Sequence, residues 1–217
     1  DTVLAACNYL AGLQGMSVYQ TVNFGTFQNT AKVGLYVTDS APIWDLMLQL
    51  CESIGAFPRF DALGRLELVH VPHSGAANVT LEDDDIVLNT LRQNSVIARA
   101  NVQLNYRRNW TVQEQLAGGA TVADREFYAR PHTSIEINNG AQKLQVLDTL
   151  LTDASQANTE AVRRGVLWSV QRETWTATAV LPALTAQLGN RYGLLSDGVI
   201  SGTGTVTAWK KRADRKL

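Results

Sequence analysis

Histidine and cysteine are scarce in this sequence, and its charges nearly balance. Its three histidines are His70, His73 and His132. His70 and His73 form an HxxH pair across Pro72, but a zinc site wants three or four ligands, and no nearby Cys or carboxylate completes a standard frame. The two cysteines, Cys7 and Cys51, lie in apolar helical patterns and read as inert buried thiols; a disulfide or a reactive thiol is the alternative. Nineteen basic side chains against twenty acidic ones leave a net charge of -1. A chain that tracks phosphates carries a basic excess, so the charge argues against general nucleic-acid binding. No run of 18 apolar residues spans a membrane, and the first residues do not read as a signal peptide.

Signatures of catalysis are missing too. There is no GxSxG elbow, and no Ser or Cys has an evident His partner. Gly202-Thr203-Gly204 lies between extended segments, whereas a dinucleotide fingerprint opens a helix. The acidic run Glu82-Asp83-Asp84-Asp85 lacks the alternating Asp, the Gly and the distant Glu of a calcium loop, and reads as a solvated turn or the start of a short helix. No pair of carboxylates stands out as a glycosidase pair. The expectation is no metal, no cofactor and no enzymatic activity.

What is present is a pattern of regular elements. The chain has 217 residues, 45% apolar and 18% charged. That length buries roughly 70% of the unfolded surface without help from disulfides. Thr2 can cap a helix carrying Val3, Leu4, Cys7, Leu10 and Ala11, which Gly12 or Gly15 can end. A β-rich stretch is expected over Val18 to Val37. Asp39 or Ser40 with Pro42 should open a second helix, whose Ile43, Leu46, Met47, Leu50 and Ile54 form one stripe and which Gly55 stops. Phe57–Phe60 and Arg65–Val71 read as a hairpin around Asp61-Ala62-Leu63-Gly64. A unit of helix, glycine stop and extended chain is thus used twice. Residues 74–79 read as a linker.

From Ser95 to Arg107 the alternation is almost strict. Val96, Ala98, Ala100, Val102, Leu104 and Tyr106 point one way, and Arg99, Asn101, Gln103, Asn105 and Arg107 the other, as one long half-buried strand requires. Gln113 to Asp124, with Gly118-Gly119, reads as a hairpin tip, Arg125–Tyr128 and Ser134–Ile137 as strands, and Asn138-Asn139-Gly140 as a tight turn. A third helix over Asp153 to Ser169 carries Ala154, Ala157, Ala161 and Gly165 as a ridge of small residues suited to close approach to a sheet. Glu173–Leu181, Leu188–Leu195 and Thr203–Arg212 are further strands. The fold class is α+β: β-rich, antiparallel, partly barrel-like sheets with about three packed helices, divided into an α+β domain at 1–80 and a β-rich domain at 81–217.

Five tryptophans, Trp44, Trp110, Trp168, Trp175 and Trp209, read as core or element-end anchors, with a sugar-stacking platform as the functional alternative. The tail Lys210 to Lys216 is basic. The face Arg99, Asn101, Gln103, Asn105 and Arg107 is polar with one sign of charge, and Glu82, Asp83, Asp84 and Asp85 form a complementary patch. Together they are the candidate interface, because a head-to-tail ring brings unlike patches of neighbouring copies together.

From residue 2 to 110 the arrangement resembles the hub proteins of bacteriophage tails. The matching stretches are Val3 to Gly12, Ala41 to Leu68 and the strand Ala100 to Tyr106, with a later helix and strands around Leu188-Gly189-Asn190. The resemblance implies a virion structural protein of a tail tip or baseplate hub, made in the bacterial host cytoplasm. It implies a homotrimeric ring joining the tail tube to a central spike or fibre. A receptor- or carbohydrate-binding tail module and a cell-wall hydrolase domain are the alternatives.

Overall fold

The computed structural model describes every residue except 38, 72–75, 88, 97, 99–100, 109, 111–125, 132–144, 180–186, 188, 197–199 and 208–217; strand residues 101, 126–131, 196, 200 and 201 are described by their backbone. The expected tip at 113–124, the strand at 134–137, the turn at 138–140, the basic tail, His73, His132, Trp209 and Arg99 lie outside the described residues.

The chain divides into two compact units. One is Asp1–His70 with Ile97–Gln171, the other Val71–Val96 with Arg172–Leu217. The expected boundary at residue 80 is sequential, whereas the polypeptide leaves the first unit after His70 and returns to it at Ile97. The reason lies in the first unit's core, where Leu10, Leu50 and Leu68 share one cluster with Leu104, Tyr106, Leu151, Ala157 and Ala161. The early helices cannot bury their stripes without the later strand and helix.

In that unit α1 spans Val3–Gly12, and the Thr2 hydroxyl accepts from the Ala5 N–H at 3.3 Å, as the sequence suggests. Gly15, at φ +67°, reverses the chain into β1 (Val18–Val22). The β-rich stretch expected up to Val37 is interrupted there and resumes as isolated bridges at Lys32 and Val33. Asn23 takes φ +57°, and a short helix, α2 (Thr26–Thr30), follows, with the Gln28 side chain accepting from the Gly25 N–H. That local side-chain bond offers the backbone an alternative to a sheet ladder. α3 spans Ile43–Glu52 and buries Leu46, Met47, Leu50 and Cys51. Its cap position is Pro42 itself, with no side-chain bond, in place of Asp39 or Ser40. Gly55, at φ +68°, leads into β2 (Ala56–Phe60), which forms the expected hairpin with β3 (Leu66–His70). β1 adds to β3 in parallel, giving the order β1-β3-β2.

The return segment supplies β6 (Asn101–Tyr106), β7 (Glu126–Pro131), β8 (Gln145–Asp148) and α4 (Ala154–Trp168). β6 lies between β7, antiparallel, and β8, parallel. α4 is capped by Asp153, whose carboxylate accepts from the Gln156 N–H. Its buried Ala157, Ala161 and Gly165 form the small-residue ridge, and the helix packs on β6 and β7.

The second unit holds β4 (Val79–Leu81), a 3₁₀ turn at Asp83–Asp85, β5 (Arg92–Val96), β9 (Arg172–Thr176), β10 (Arg191–Ser196) and β11 (Ile200–Thr205). They form one sheet of order β11-β10-β4 and a two-stranded antiparallel ribbon of β5 and β9. The single strand expected over Ser95–Arg107 is therefore two strands in two units, parted at Val96 and Ile97. A period of two is the same in one long strand as in two consecutive ones. The class is α+β, with four α-helices among the described residues. The described sheets have two or three strands each, and none of them closes into a barrel.

Candidate functional site

The outer face of the β7-β6-β8 sheet is where the sequence placed an interface. Along β6 the alternation holds: Val102, Leu104 and Tyr106 are buried, while Gln103 and Asn105 are half-buried on the opposite face. Gln103 donates to the Asn105 side-chain oxygen at 3.0 Å, and Asn105 donates to Asp148 at 2.7 Å across β6 and β8. The face is thus a hydrogen-bonded polar ladder, with exposed Val146 beside Gln103. It is not of one charge sign, because β8 brings in Asp148 opposite Asn105. Alternation along a single strand cannot reveal what its neighbours contribute.

Arg107 stands apart from this ladder. It follows the end of β6 at φ +52°, its guanidinium lies 5.9 Å from the Tyr106 ring centroid, and its Nε donates to the Thr152 carbonyl at 3.4 Å. Asn101 belongs to β6 by its backbone. Of the proposed basic face, then, the structure brings Gln103 and Asn105 together and sets Arg107 to one side. The acidic candidates lie in the second unit. Glu82 caps the 3₁₀ turn, its N–H donating to the Asp85 carboxylate at 3.1 Å, and Glu82, Asp83 and Asp84 are exposed. A solvated acidic turn is what the sequence suggested.

The residues weighed for chemistry have structural surroundings. Cys7 on α1 and Cys51 on α3 are free and wholly buried, with their sulfurs 3.9 Å apart. The hydrogen bond with Cys7, and then burial, push the Cys51 thiol far above its ordinary range. Buried His70 lies with its Nε2 3.0 Å from the amide nitrogen of Gln28. Among the described residues no group of three or more His, Cys, Asp or Glu is placed to hold a metal ion, and no helix is long and apolar enough to cross a membrane. Trp44 stacks on Phe60 at 5.4 Å with both rings partly exposed, and Trp110 packs against the core beneath the Arg108 guanidinium.

Sequence reasoning passed over two buried ion pairs. Glu67 on β3 is paired across the hairpin with Arg59, at 2.8 Å. Glu160, wholly buried on α4, accepts from Arg163 at 2.6 Å and 2.7 Å and from Arg164 at 2.5 Å. Arg164 also donates to the Glu52 carbonyl at the C-terminal end of α3, where a cation is favoured. The readable signal was spacing, since Glu160 precedes the arginines by three and four residues on a helix. The buried carboxylates among the described residues are therefore held by arginine, which suits anchoring more than acid–base chemistry.

No family model matches the chain, and no curated protein matches it. Solved structures do. The tail protein from Neisseria meningitidis MC58 superposes with a TM-score of 0.56 at 12% identity, covering 95% of this chain and 61% of that one. The 43 kDa tail protein of prophage MuSo2 from Shewanella oneidensis gives 0.52 at 12% identity, over 95% and 60%. This chain therefore spans about three fifths of the length of either, and shares with both a fold.

Proposed function

We propose that the chain is a structural component of a phage or prophage tail, at the tip or baseplate hub, where it joins the tail tube to a central spike or fibre. The observation that carries this reading is a likeness over 95% of the chain to two tail proteins, one of them from a prophage. The stretches from Val3 to Gly12 and from Ala41 to Leu68, which resemble phage hubs, point the same way. In this reading the chain is made in the bacterial host cytoplasm, resides in the virion, forms a homotrimeric ring, binds other tail proteins and catalyses no reaction.

The polar ladder of β6 and the acidic turn at Glu82–Asp85 are its proposed ring contacts. Exposed ion pairs contribute about 0–1 kcal/mol each, so apolar contacts supply most of the association. The test is to purify tails carrying a tagged copy and locate the tag by electron microscopy, counting copies per tail by mass spectrometry. Three copies at the tip are expected. Tails that form normally without the chain overturn the reading. Reversing Arg99 and Arg107 to Glu should weaken assembly by removing the charge that answers the acidic turn, and Gln103→Arg with Asn105→Arg should weaken it at the ladder itself; tails formed as well by both double variants remove this face from the ring contact. The exposed Trp44–Phe60 stack supports a second reading, carbohydrate binding. It predicts glycan binding by the purified chain that Trp44→Ala abolishes.

A further inference from the structure

The first 31 residues contain a feature that neither the polar ladder nor the acidic turn uses. From Thr2 to Ala31 there is no Asp, Glu, Lys, Arg or His. Within that run, four large apolar side chains are exposed where α1 passes into β1: Tyr9 at 69%, Leu13 at 58%, Met16 at 38% and Tyr19 at 65%. Tyr9 and Leu13 are four apart on one helix face, the Leu13 N–H donating to the Tyr9 carbonyl. The Met16 N–H donates to the Ala11 carbonyl, which folds Met16 back beside the helix end. Tyr19 follows on β1.

β1 is an edge. Among the described residues it pairs on one side only, with β3. Natural edge strands are guarded by charge, by proline or by a bulge. The opposite edge of the same sheet, β2, carries Pro58, while its Arg59 is buried and paired inward with Glu67 of β3. β1, Val-Tyr-Gln-Thr-Val, carries neither charge nor proline, and its single irregularity falls between Val18 and Gln20, at Tyr19. β1 thus lacks proline and charge, has only the local irregularity at Tyr19 as a guard, and lies beside an apolar rim.

We infer that this edge is an interaction surface whose occupant is a second copy of the same chain, its β1 running antiparallel to the first about a two-fold axis. The two three-stranded sheets then join into one of order β2-β3-β1-β1-β3-β2. The argument for a like partner is electrostatic. A charged partner would lose hydration over a surface that offers it no counter-charge, whereas two copies of an uncharged patch bury no unpaired charge. Tyr and Met are residue types enriched in such contacts, and an isologous contact requires a patch complementary to itself. Four side chains and one strand make less than the roughly 800 Å² per partner of a standard interface, so the dimer is a weak one. It is a property of the free chain and does not rest on the proposed ring, which is a threefold contact.

Sedimentation velocity of the purified chain across the micromolar to millimolar range tests it. A monomer–dimer equilibrium is expected, and Leu13→Glu and Tyr19→Glu should each weaken it by about tenfold or more by placing a charge in the contact. Leu63→Glu, at a turn residue 77% exposed and away from β1, should leave it unchanged. All three sites are exposed, so the variants should keep the parental melting temperature, which is measured alongside. Hydrogen exchange should show the amides of Val18–Val22 gaining protection as concentration rises. A chain monomeric throughout, a trimer that Leu13→Glu and Tyr19→Glu leave intact, or a dimer without protection of β1 overturns the inference. None of these outcomes bears on whether the chain resides in tails.

Discussion

Cys7 and Cys51 show how much a residue's meaning depends on what meets it. Each sits in an apolar helical pattern, and the sequence reading as inert thiols agrees with their complete burial; the sequence could not say that α1 and α3 bring them 3.9 Å apart. Being wholly buried, both thiols should resist alkylation at neutral pH in the folded chain and react on unfolding, as timed labelling with and without denaturant would measure; the Cys51 pKa is in addition raised by its partner and by burial. The linkage has a definite sign. A proton held more tightly in the folded state than in the unfolded one stabilises the fold fully below the ordinary thiol value of 9.0, and that stability is lost as pH rises above it. Denaturant midpoints should fall between pH 9 and 10 in the parent and fall less in Cys51→Ala. Glu160 is the opposite case, a charge that the fold has committed to the interior. Glu160→Ala would leave Arg163 and Arg164, only 17% and 12% exposed, without their carboxylate. A loss of about 3–5 kcal/mol is expected in chemical denaturation, since breaking a buried pair strands the remaining charge.

At the scale of elements, the stripe on α3 was the most legible feature and remains so. Leu46, Leu50 and Ile54 are buried with Leu66 and Leu68 of β3, as their spacing required. Leu50→Ala should cost about 2–5 kcal/mol by leaving a cavity among close-packed neighbours, and a change below about half a kcal/mol would mean that the stripe is not core. The hairpin was legible because its turn chemistry is local. Asp61 accepts from the Leu63 and Arg65 N–H groups at 2.8 Å, and Gly64 takes φ +76°. The Arg65 backbone N–H, then its side chain, hold the Asp61 carboxyl below its ordinary range. α2 was not legible, because five residues are too few to show a helical period and its stability comes from the Gln28 side chain and from packing of Phe27 on the core. The candidate interface was half legible for a related reason. Alternation placed Gln103 and Asn105 correctly, while the Asp148 that answers them comes from a strand more than forty residues later, through a register that no local pattern encodes.

The whole molecule turns on a chain that leaves one unit and comes back to it. Sequence order suggests that residues 1–80, with two helices and a hairpin, make a domain. The core says otherwise. Val3, Cys7, Leu50 and Leu68 belong to the same cluster as Leu104, Tyr106, Leu150, Leu151, Ala157 and Ala161. Hydrogen bonds tie the two segments as well. The Gly34 N–H donates to the Leu150 carbonyl at 3.0 Å, the Leu150 N–H donates to the Ser53 hydroxyl at 2.9 Å, and Arg164 reaches the end of α3. Residues 1–80 alone would expose the apolar faces of α1 and α3 that these partners cover, with too little remaining burial to offset the entropy of ordering them. Expressed alone, that fragment should lack a cooperative thermal transition and show collapsed amide dispersion by NMR. A chain keeping 1–70 and 97–171, with 71–96 replaced by a Gly-Ser linker of equal length, should retain a cooperative transition, because every member of the core cluster is present. A well-dispersed, cooperatively melting 1–80 fragment would instead establish the sequential division, and the later strand and helix would then be an addition to a domain already complete.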